Sequence, residues 1–322
     1  MTSENVKTLP YGSPEKIQRL FKLLFAGGIA GMCAKTTIAP LDRIKILLQA
    51  HNQHYDRYGV ISALRNVVKR EGLTGLYRGN GTQMVRIFPY AALQFVSYEN
   101  YKKILMSQLR TSHPHLAQLV AGSMAGMTAV LGTYPLDMVR ARLAFQVSGE
   151  QVYSGIADAF QKIWKTEGGL PALYRGIVPT LMGMVPYGGF SFLGFETMKQ
   201  ISLGYFPLIL GKPNPKNKNE LVLNIPARLL CGGMAGAFAQ TISYPLDVAR
   251  RMMQLSVLLP RSDRFSNWFQ VLKDVFREHG ISRGLYRGMS INYLRVSPMI
   301  AVSFTTYETM KQFLSLDTGI DS

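Results

Sequence analysis

PLDRIK at residues 40–45, PLDMVR at 135–140 and PLDVAR at 245–250 are one string written three times. About forty residues after each stands a second string: GLYRG at 75–79, ALYRG at 172–176 and GLYRG at 284–288. A third follows, YENYK at 98–102, FETMK at 195–199 and YETMK at 307–311, at the same offset from the second each time. Three markers in one order, three times over, make the chain an internal repeat. The units run near 17–107, 114–203 and 223–315. A polar tail occupies 1–16, and a basic Pro/Asn/Lys linker occupies 204–222.

Working outward from these strings, uncharged runs lie at 23–34, 87–98, 111–136, 177–195, 229–246 and 296–307. Only the runs at 111–136, 177–195 and 229–246 reach the length of about 18 residues expected of a membrane-crossing helix. Homologous units must share a topology, so each contributes two helices. One runs through Pro-Leu-Asp and one follows Tyr-Arg-Gly, giving six spans. The shorter runs are bounded by Lys35, Arg86 and Arg295. Charge at membrane depth is costly and faces protein or a wet cavity. Gly27/Gly31, Gly122/Gly126 and Gly232/Gly236 recur at matching places and predict close helix packing. The segments between paired helices, such as 58–71, read as short amphipathic surface helices.

Composition narrows the function. The 36 Lys and Arg against 19 Asp and Glu leave a net charge of +17, and 47% of residues are apolar. The charge calls for an anionic partner, and the apolar share excludes a disordered basic tail. Two cysteines exclude a disulfide scaffold and a Cys-rich metal site, and Cys33 and Cys231 read as small buried packing residues. The five histidines are scattered, and no phosphate-binding glycine loop or catalytic constellation is present, so neither enzyme chemistry nor a cofactor is expected. No nucleic-acid module appears, and the bases are dispersed among apolar helices. Residues 1–20 are polar, with two prolines and Glu4 and Glu15, so any targeting is expected to be internal.

The tripled Pro-x-acid-x-x-base string, followed by the aromatic-base-Gly string, resembles the mitochondrial carrier family over about nine-tenths of the chain. That resemblance implies an all-α membrane protein in the mitochondrial inner membrane. Six helices surround a central cavity, the surface helices face the matrix, and both termini face the intermembrane space. It also implies a monomer working by alternating access. The matrix gate is then Asp42, Lys45, Asp137, Arg140, Asp247 and Arg250, closed as a ring of ion pairs between helices and braced by Gln49 and Gln254. Ala144 replaces the brace in the second unit. The opposite gate is Glu99, Lys102, Glu196, Lys199, Glu308 and Lys311, with Tyr98, Phe195 and Tyr307 beside it. The acid-Gly element before Tyr-Arg-Gly is clean at Glu71-Gly72 and displaced near Glu167 and Glu278. Tyr77-Arg78-Gly79 and its copies at Tyr174 and Tyr286 are implied lipid contacts, with cardiolipin the expected ligand.

Broken symmetry identifies the cargo. Seven residues after the Gly of Tyr-Arg-Gly stand Arg86, Gly183 and Arg295, whereas ten residues after it all three units have proline, at 89, 186 and 298. Five residues before the Pro of Pro-Leu-Asp stand Lys35, Val130 and Gln240; Arg251 faces Ile46 and Ala141 in the other units. Three or four uncompensated cations predict a multiply anionic substrate, and arginine suits phosphate. Arg86, Gly183-Met184 and Arg295 are similar to the contact set of carriers of adenine-containing nucleotides. Tyr187 stands where such carriers place a tyrosine on the adenine ring, and Tyr90 is a second candidate. Arg250-Arg251-Met252-Met253 departs from the three arginines and three methionines of the ADP/ATP exchange carrier, and the short N-terminal tail holds no EF-hand. The resemblance therefore implies a carrier of coenzyme A or a related adenine nucleotide. ADP/ATP and another multiply charged carboxylate or phosphate are the alternatives.

Overall fold

A computed structural model describes residues 14–55, 57–108, 114–149, 151–213, 221–259 and 267–316. Most of the N-terminal tail, both chain ends and the middle of the basic linker lie outside the described residues. The elements are helices α1 (Pro14–Gln49), α2 (Val60–Gly75), α3 (Asn80–Gln108), α4 (Pro114–Phe145), α5 (Ile156–Thr166), α6 (Leu170–Leu173), α7 (Ile177–Tyr205) and α8 (Pro207–Leu210). Strands β1 (Gly211–Pro213) and β2 (Leu221–Leu223) follow, then α9 (Ile225–Gln254), α10 (Trp268–Gly280) and α11 (Met289–Phe313). Each repeat supplies one long helix through Pro-Leu-Asp, which is α1, α4 or α9. It supplies a second after Tyr-Arg-Gly, which is α3, α7 or α11.

Three stretches are long and apolar enough to cross a membrane: Phe21–Gln49, Ala117–Phe145 and Leu170–Tyr205. Two match the uncharged runs singled out from the sequence, but the third lies in α1 and not in α9. The uncharged run of α9 is diluted by three glycines and by Gln240, Thr241, Ser243, Tyr244 and Pro245, which lower its hydropathy, while α1 tolerates Lys35 within a more apolar window.

The repeat strings are backbone devices. The glycines of Tyr-Arg-Gly, Gly79, Gly176 and Gly288, have φ of 81°, 87° and 79°, left-handed values that glycine adopts without steric cost. Each stands immediately before the start of the second long helix of its repeat. Gly72, Gly169 and Gly280 share φ near 73° in the turn before it. Gly72 and Gly169 lie five residues before their tyrosines and Gly280 lies six before Tyr286. A π turn at Ile281–Leu285 absorbs the extra residue. The displaced acids arise earlier, because Gly168 and His279 separate Glu167 and Glu278 from these glycines.

The surface helices repeat as well. Ala63 and Val67 of α2, Ala159 and Ile163 of α5, and Val271 and Val275 of α10 are the buried i, i+4 pairs. They stand four and eight residues after Gly59, Gly155 and Asn267, which cap those helices. The Asn267 side chain accepts from the Phe269 amide at 3.1 Å.

Contacts divide the chain into two compact units. The first holds the described residues within Met1–Glu99, Thr128–Tyr174 and Ser290–Ser322; the second holds those within Asn100–Met127 and Arg175–Met289. In the first, Gly28 accepts the Phe88 ring, which any Cβ there would strike, and Gly31 meets Ile87 at 3.5 Å. In the second, α7 packs along α9, and Gly194 lies against Ala235. The glycine pairs read from the sequence are therefore only partly packing sites. Gly31 and Gly126 are covered, but Gly27, Gly232 and Gly236 have no neighbour within 4 Å, while Gly28, outside the motif, makes the tightest fit.

The described ends of the linker form strands where a Pro/Asn/Lys loop is expected. Strands β1 and β2 pair antiparallel, with Gly211 opposite Leu223 and Pro213 opposite Leu221. Leu223 is buried with Ala227 and Cys231, against Phe195, Met198, Leu203 and Leu210. Burial of Leu223 gives the ladder an apolar anchor that a purely polar linker lacks. Of the two cysteines, Cys231 is buried as expected, whereas Cys33 is exposed on α1.

Candidate functional site

The first unit gathers most of the charged candidates. Lys35 and Asp42 come from α1, Arg86 from α3, Asp137 and Arg140 from α4, and Arg295 from α11. The i, i+3 spacing of acid and base in each Pro-Leu-Asp string puts both on one helix face. Arg140 Nη2 donates to Asp42 Oδ2 at 2.6 Å, the expected ion pair between neighbouring repeats. The second oxygen of Asp42 accepts from Arg295 Nη1 at 2.7 Å. Arg86 Nη1 lies 3.1 Å from Asp137 Oδ1, Arg86 Nε donates to Thr133 Oγ1 at 3.3 Å, and its guanidinium sits 5.3 Å from the centre of the Tyr90 ring. Lys35 Nζ contacts Met299 Sδ at 3.6 Å.

Two of the candidate cations, Arg86 and Arg295, are therefore compensated, contrary to the sequence reading. In this state the two cavity arginines are paired with gate aspartates, because one carboxylate has two oxygens and can serve two guanidiniums at once. Tyr90 is engaged with Arg86, which leaves Tyr187 as the unengaged aromatic of the two.

The second unit holds a cavity of about 120 Å³ lined by Gly183, Met184, Tyr187, Gln240, Asp247 and Arg250 among others. The three proposed base-slot residues thus share one wall. Tyr187 is 43% exposed, so its ring is not consumed by packing. A Cβ on Gly183 would meet Leu246 at 3.5 Å, an ordinary contact, so the fold does not require glycine there. Gln240 Nε2 donates to Asp247 Oδ2 at 3.2 Å. Arg251 does not line this cavity; its Nη1 donates to Gln254 Oε1 at 2.9 Å. Gln254 thus holds a base of its own helix. Gln49 is fully buried, and neither of its amide atoms has a hydrogen-bond partner among the described residues, so the expected brace is not formed there.

At the opposite gate, Lys199 pairs with Glu196 at 3.4 Å and Lys311 with Glu308 at 3.3 Å. Both are i, i+3 pairs within one helix. Lys311 also lies 5.4 Å from the Tyr307 ring centre.

Sequence reasoning missed two buried arginines. Arg43 Nε donates to Ala144 O at 3.1 Å, and Nη2 donates to Gln146 O at 2.8 Å and to both Glu71 oxygens at 2.9 and 3.1 Å; Nη1 reaches Gly75 O. Arg142 holds Glu167 through both guanidinium nitrogens and donates to Tyr153 Oη at 2.8 Å. Tyr55 donates to Glu71 at 3.1 Å, and burial together with that carboxylate pushes its phenol up to about 12. Burial likewise raises the Tyr153 phenol. The acids of the displaced acid-Gly element were visible in the sequence, but their partners were not.

Beside them lies a cavity of about 230 Å³ lined by Arg78, Gly79, Thr82, Gln151, Tyr153 and Gly155 among others. It adjoins the N-terminal starts of both α3 and α5. Arg78 donates to Ser148 Oγ at 2.7 Å and lies 3.3 Å from Glu71. The tyrosines of the other two Tyr-Arg-Gly strings pack differently. Tyr174 stacks on Tyr134 with centroids 5.8 Å apart, and Tyr286 on Tyr244 at 6.0 Å. Ala39 stands at the matching place in the first repeat, and Tyr77 is left exposed.

Comparison with known sequences finds the same threefold repeat. The profile of the family described as "Mitochondrial carrier protein" matches three times, at residues 18–109, 111–206 and 222–318. Solute carrier family 25 member 16 of Mus musculus is 58% identical over 292 residues, covering 91% of this chain and 88% of that one. The Homo sapiens protein of that name is 57% identical over 292 residues, with the same coverage. Mitochondrial carrier protein CoAc1 of Arabidopsis thaliana is 41% identical over 317 residues, covering 92% and 91%.

Proposed function

From the premise that this chain belongs to the mitochondrial carrier family, we propose that it moves coenzyme A or a related adenine nucleotide across the mitochondrial inner membrane by alternating access. The observation that supports this reading best is the cation set of the first unit, in which Lys35, Arg86 and Arg295 come from three different helices. Two of them are arginines, whose planar fork suits phosphate oxygens. In this reading they take the phosphates of the substrate; within the second unit, Tyr187 beside Gly183 and Met184 offers an aromatic face suited to an adenine ring. Relatives named CoAc1 fit a coenzyme A substrate, whose 3′-phosphorylated ADP moiety suits the same groups.

The ion pairs support a particular state. Asp42–Arg140 is engaged, whereas Lys199 and Lys311 hold acids of their own helices. An engaged Asp42–Arg140 pair suits a state in which this pair of the matrix gate is formed, and we place both termini toward the intermembrane space. Arg251, held by Gln254 one turn on, is a further cation proposed for the substrate. Anionic lipid, cardiolipin by preference, fits the cavity at Arg78 and Gly79, where two helix N-termini favour a phosphate. A single chain suffices for the cycle.

Uptake of labelled coenzyme A into liposomes carrying the purified protein tests the proposal. Competition by unlabelled coenzyme A and ADP, with weak competition by citrate, is expected. Arg86→Ala and Arg295→Ala should abolish uptake while membrane insertion persists. Competition by citrate alone, or wild-type rates in either variant, would favour the carboxylate alternative and remove the site.

A further inference from the structure

Asp42 has two charged partners, and they belong to different jobs. Its Oδ2 holds Arg140, a base of the gate, at 2.6 Å, and its Oδ1 holds Arg295, a base of the proposed substrate site, at 2.7 Å. The Asp42 side chain is 7% exposed, Arg140 is 12% and Arg295 27%, so solvent reaches Arg295 best of the three. An incoming anion therefore meets an arginine that is already neutralised from its buried side. Arg86 is held in the same manner by Asp137, at 3.1 Å.

We propose that Asp42 is an internal competitor for the substrate: its Oδ1 occupies the guanidinium that a substrate phosphate must take, so that Asp42 sets anion affinity through Arg295. This rests on the assignment of Arg295 to the substrate site. Capture of Arg295 by phosphate also strips Asp42 of one of its two ion pairs and leaves Arg140 as the remaining one, with Lys35 a further cation acting on the carboxylate. Binding and loosening of the gate are then linked through a single carboxylate, because whatever strengthens one hold on Asp42 or Arg295 weakens the other. The linkage is reciprocal, so removing the carboxylate improves the fit for the anion even as it damages the gate.

The test is a double-mutant cycle on the full-length protein in detergent, with inorganic pyrophosphate as the probe and calorimetry as the readout. Asp42→Asn is expected to tighten pyrophosphate binding about fivefold, the equivalent of one partly exposed ion pair (about 1 kcal/mol). In an Arg295→Gln background the same substitution should change affinity little, because the competed group is gone. Arg140→Gln, which opens the gate pair but leaves Asp42 on Arg295, should not tighten binding. Asp42→Ser replaces the asparagine variant if that one does not fold. Equal tightening in both backgrounds would mean that only the general field of the cavity had changed, and would overturn the proposal. So would tightening by Arg140→Gln as large as that by Asp42→Asn, or no tightening at all. Coenzyme A uptake by the wild type is scored separately. A protein that shows the cycle but does not carry coenzyme A would retain this inference and lose the substrate assignment.

Discussion

Replacing Arg43 by methionine separates the scaffold from the transport chemistry. The side chain is about as buried as any in the protein, at 1% exposure, and is shape-matched by methionine only along its stem. The substitution strands the carbonyl of Ala144, leaves those of Gly75 and Gln146 with only the longer Arg78 donors at 3.3 and 3.4 Å, and removes the Arg43 partner of Glu71. Breaking a buried pair by removing one partner costs about 3–5 kcal/mol. Glu71 is not abandoned, however, since Arg78 remains at 3.3 Å and Tyr55 at 3.1 Å. The lower end, about 3 kcal/mol, is therefore expected, and at about 2 °C per kcal/mol the unfolding midpoint should fall by about 6 °C. Arg43→Lys retains the charge but cannot span four acceptors with one ammonium, and should lose about half of that. The assay is thermal unfolding of the purified protein in detergent, followed by the fluorescence of Trp164 and Trp268. Arg57→Met, at an exposed position, serves as the control for loss of charge alone. If Arg43→Met melts no lower than the Arg57 variant, the clamp contributes nothing and the argument from its four acceptors is wrong.

Two further outcomes follow from the geometry. Gly183→Ala adds a methyl group at ordinary distance from Leu246, so it should leave the melting temperature unchanged. It narrows the cavity beside Tyr187, and ADP should bind at least about fivefold more weakly while pyrophosphate is unaffected; equal loss for both ligands would remove the base slot. Tyr55→Phe probes the raised phenol. Its folded value of about 12 exceeds an unfolded value of about 10, so its contribution is present below pH 10 and is lost as pH rises toward 12. The stability difference between wild type and Tyr55→Phe should shrink across that window, and a constant difference would exclude Tyr55 as the titrating group.

What was legible in the sequence was what the three repeats share. The Tyr-Arg-Gly and acid-Gly strings announce backbone turns, and the structure puts a left-handed glycine at each. The Pro-Leu-Asp strings announce the odd helices, and Asp42–Arg140 joins two of them as expected. Composition could not reveal the β1–β2 ladder, because its stability comes from one buried leucine and not from strand propensity. Nor could spacing reveal that Arg295 and Arg86 rest on gate aspartates. A cation read in isolation looks unpaired, and its partner lies on another helix at a separation of 253 residues for Arg295. The glycine pairs failed for a related reason, since a small-residue motif reports a helix surface but not what lies against it.

The buried arginines show why comparison among repeats has a blind side. Arg43 is one residue past the gate acid of the first repeat, and the matching residues of the other two are Met138 and Val248, both fully buried. Arg142 is five residues past the gate acid of the second, where the others have Leu47 and Met252, also buried. The same job, holding the glutamate of the acid-Gly turn to the end of an odd helix, is thus done from two different registers. Averaging the repeats turns each arginine into an exception within an apolar column, which reads as noise. The asymmetry has a mechanical consequence. Arg43 binds Gly75 and Glu71 of its own repeat and also the Ala144 and Gln146 carbonyls of the next, directly beyond Asp42. The Asp42–Arg140 pair and the Arg43 clamp therefore bridge α1 to the end of α4 side by side. A gate that parts these two helices has to release Arg140 while Arg43 either pivots on its carbonyls or lets go of them. Breaking four charge-assisted bonds each cycle would cost far more than breaking one partly hydrated ion pair. Pivoting is the cheaper course, and it makes the Arg43 end of α1 the fulcrum about which the Asp42 pair opens.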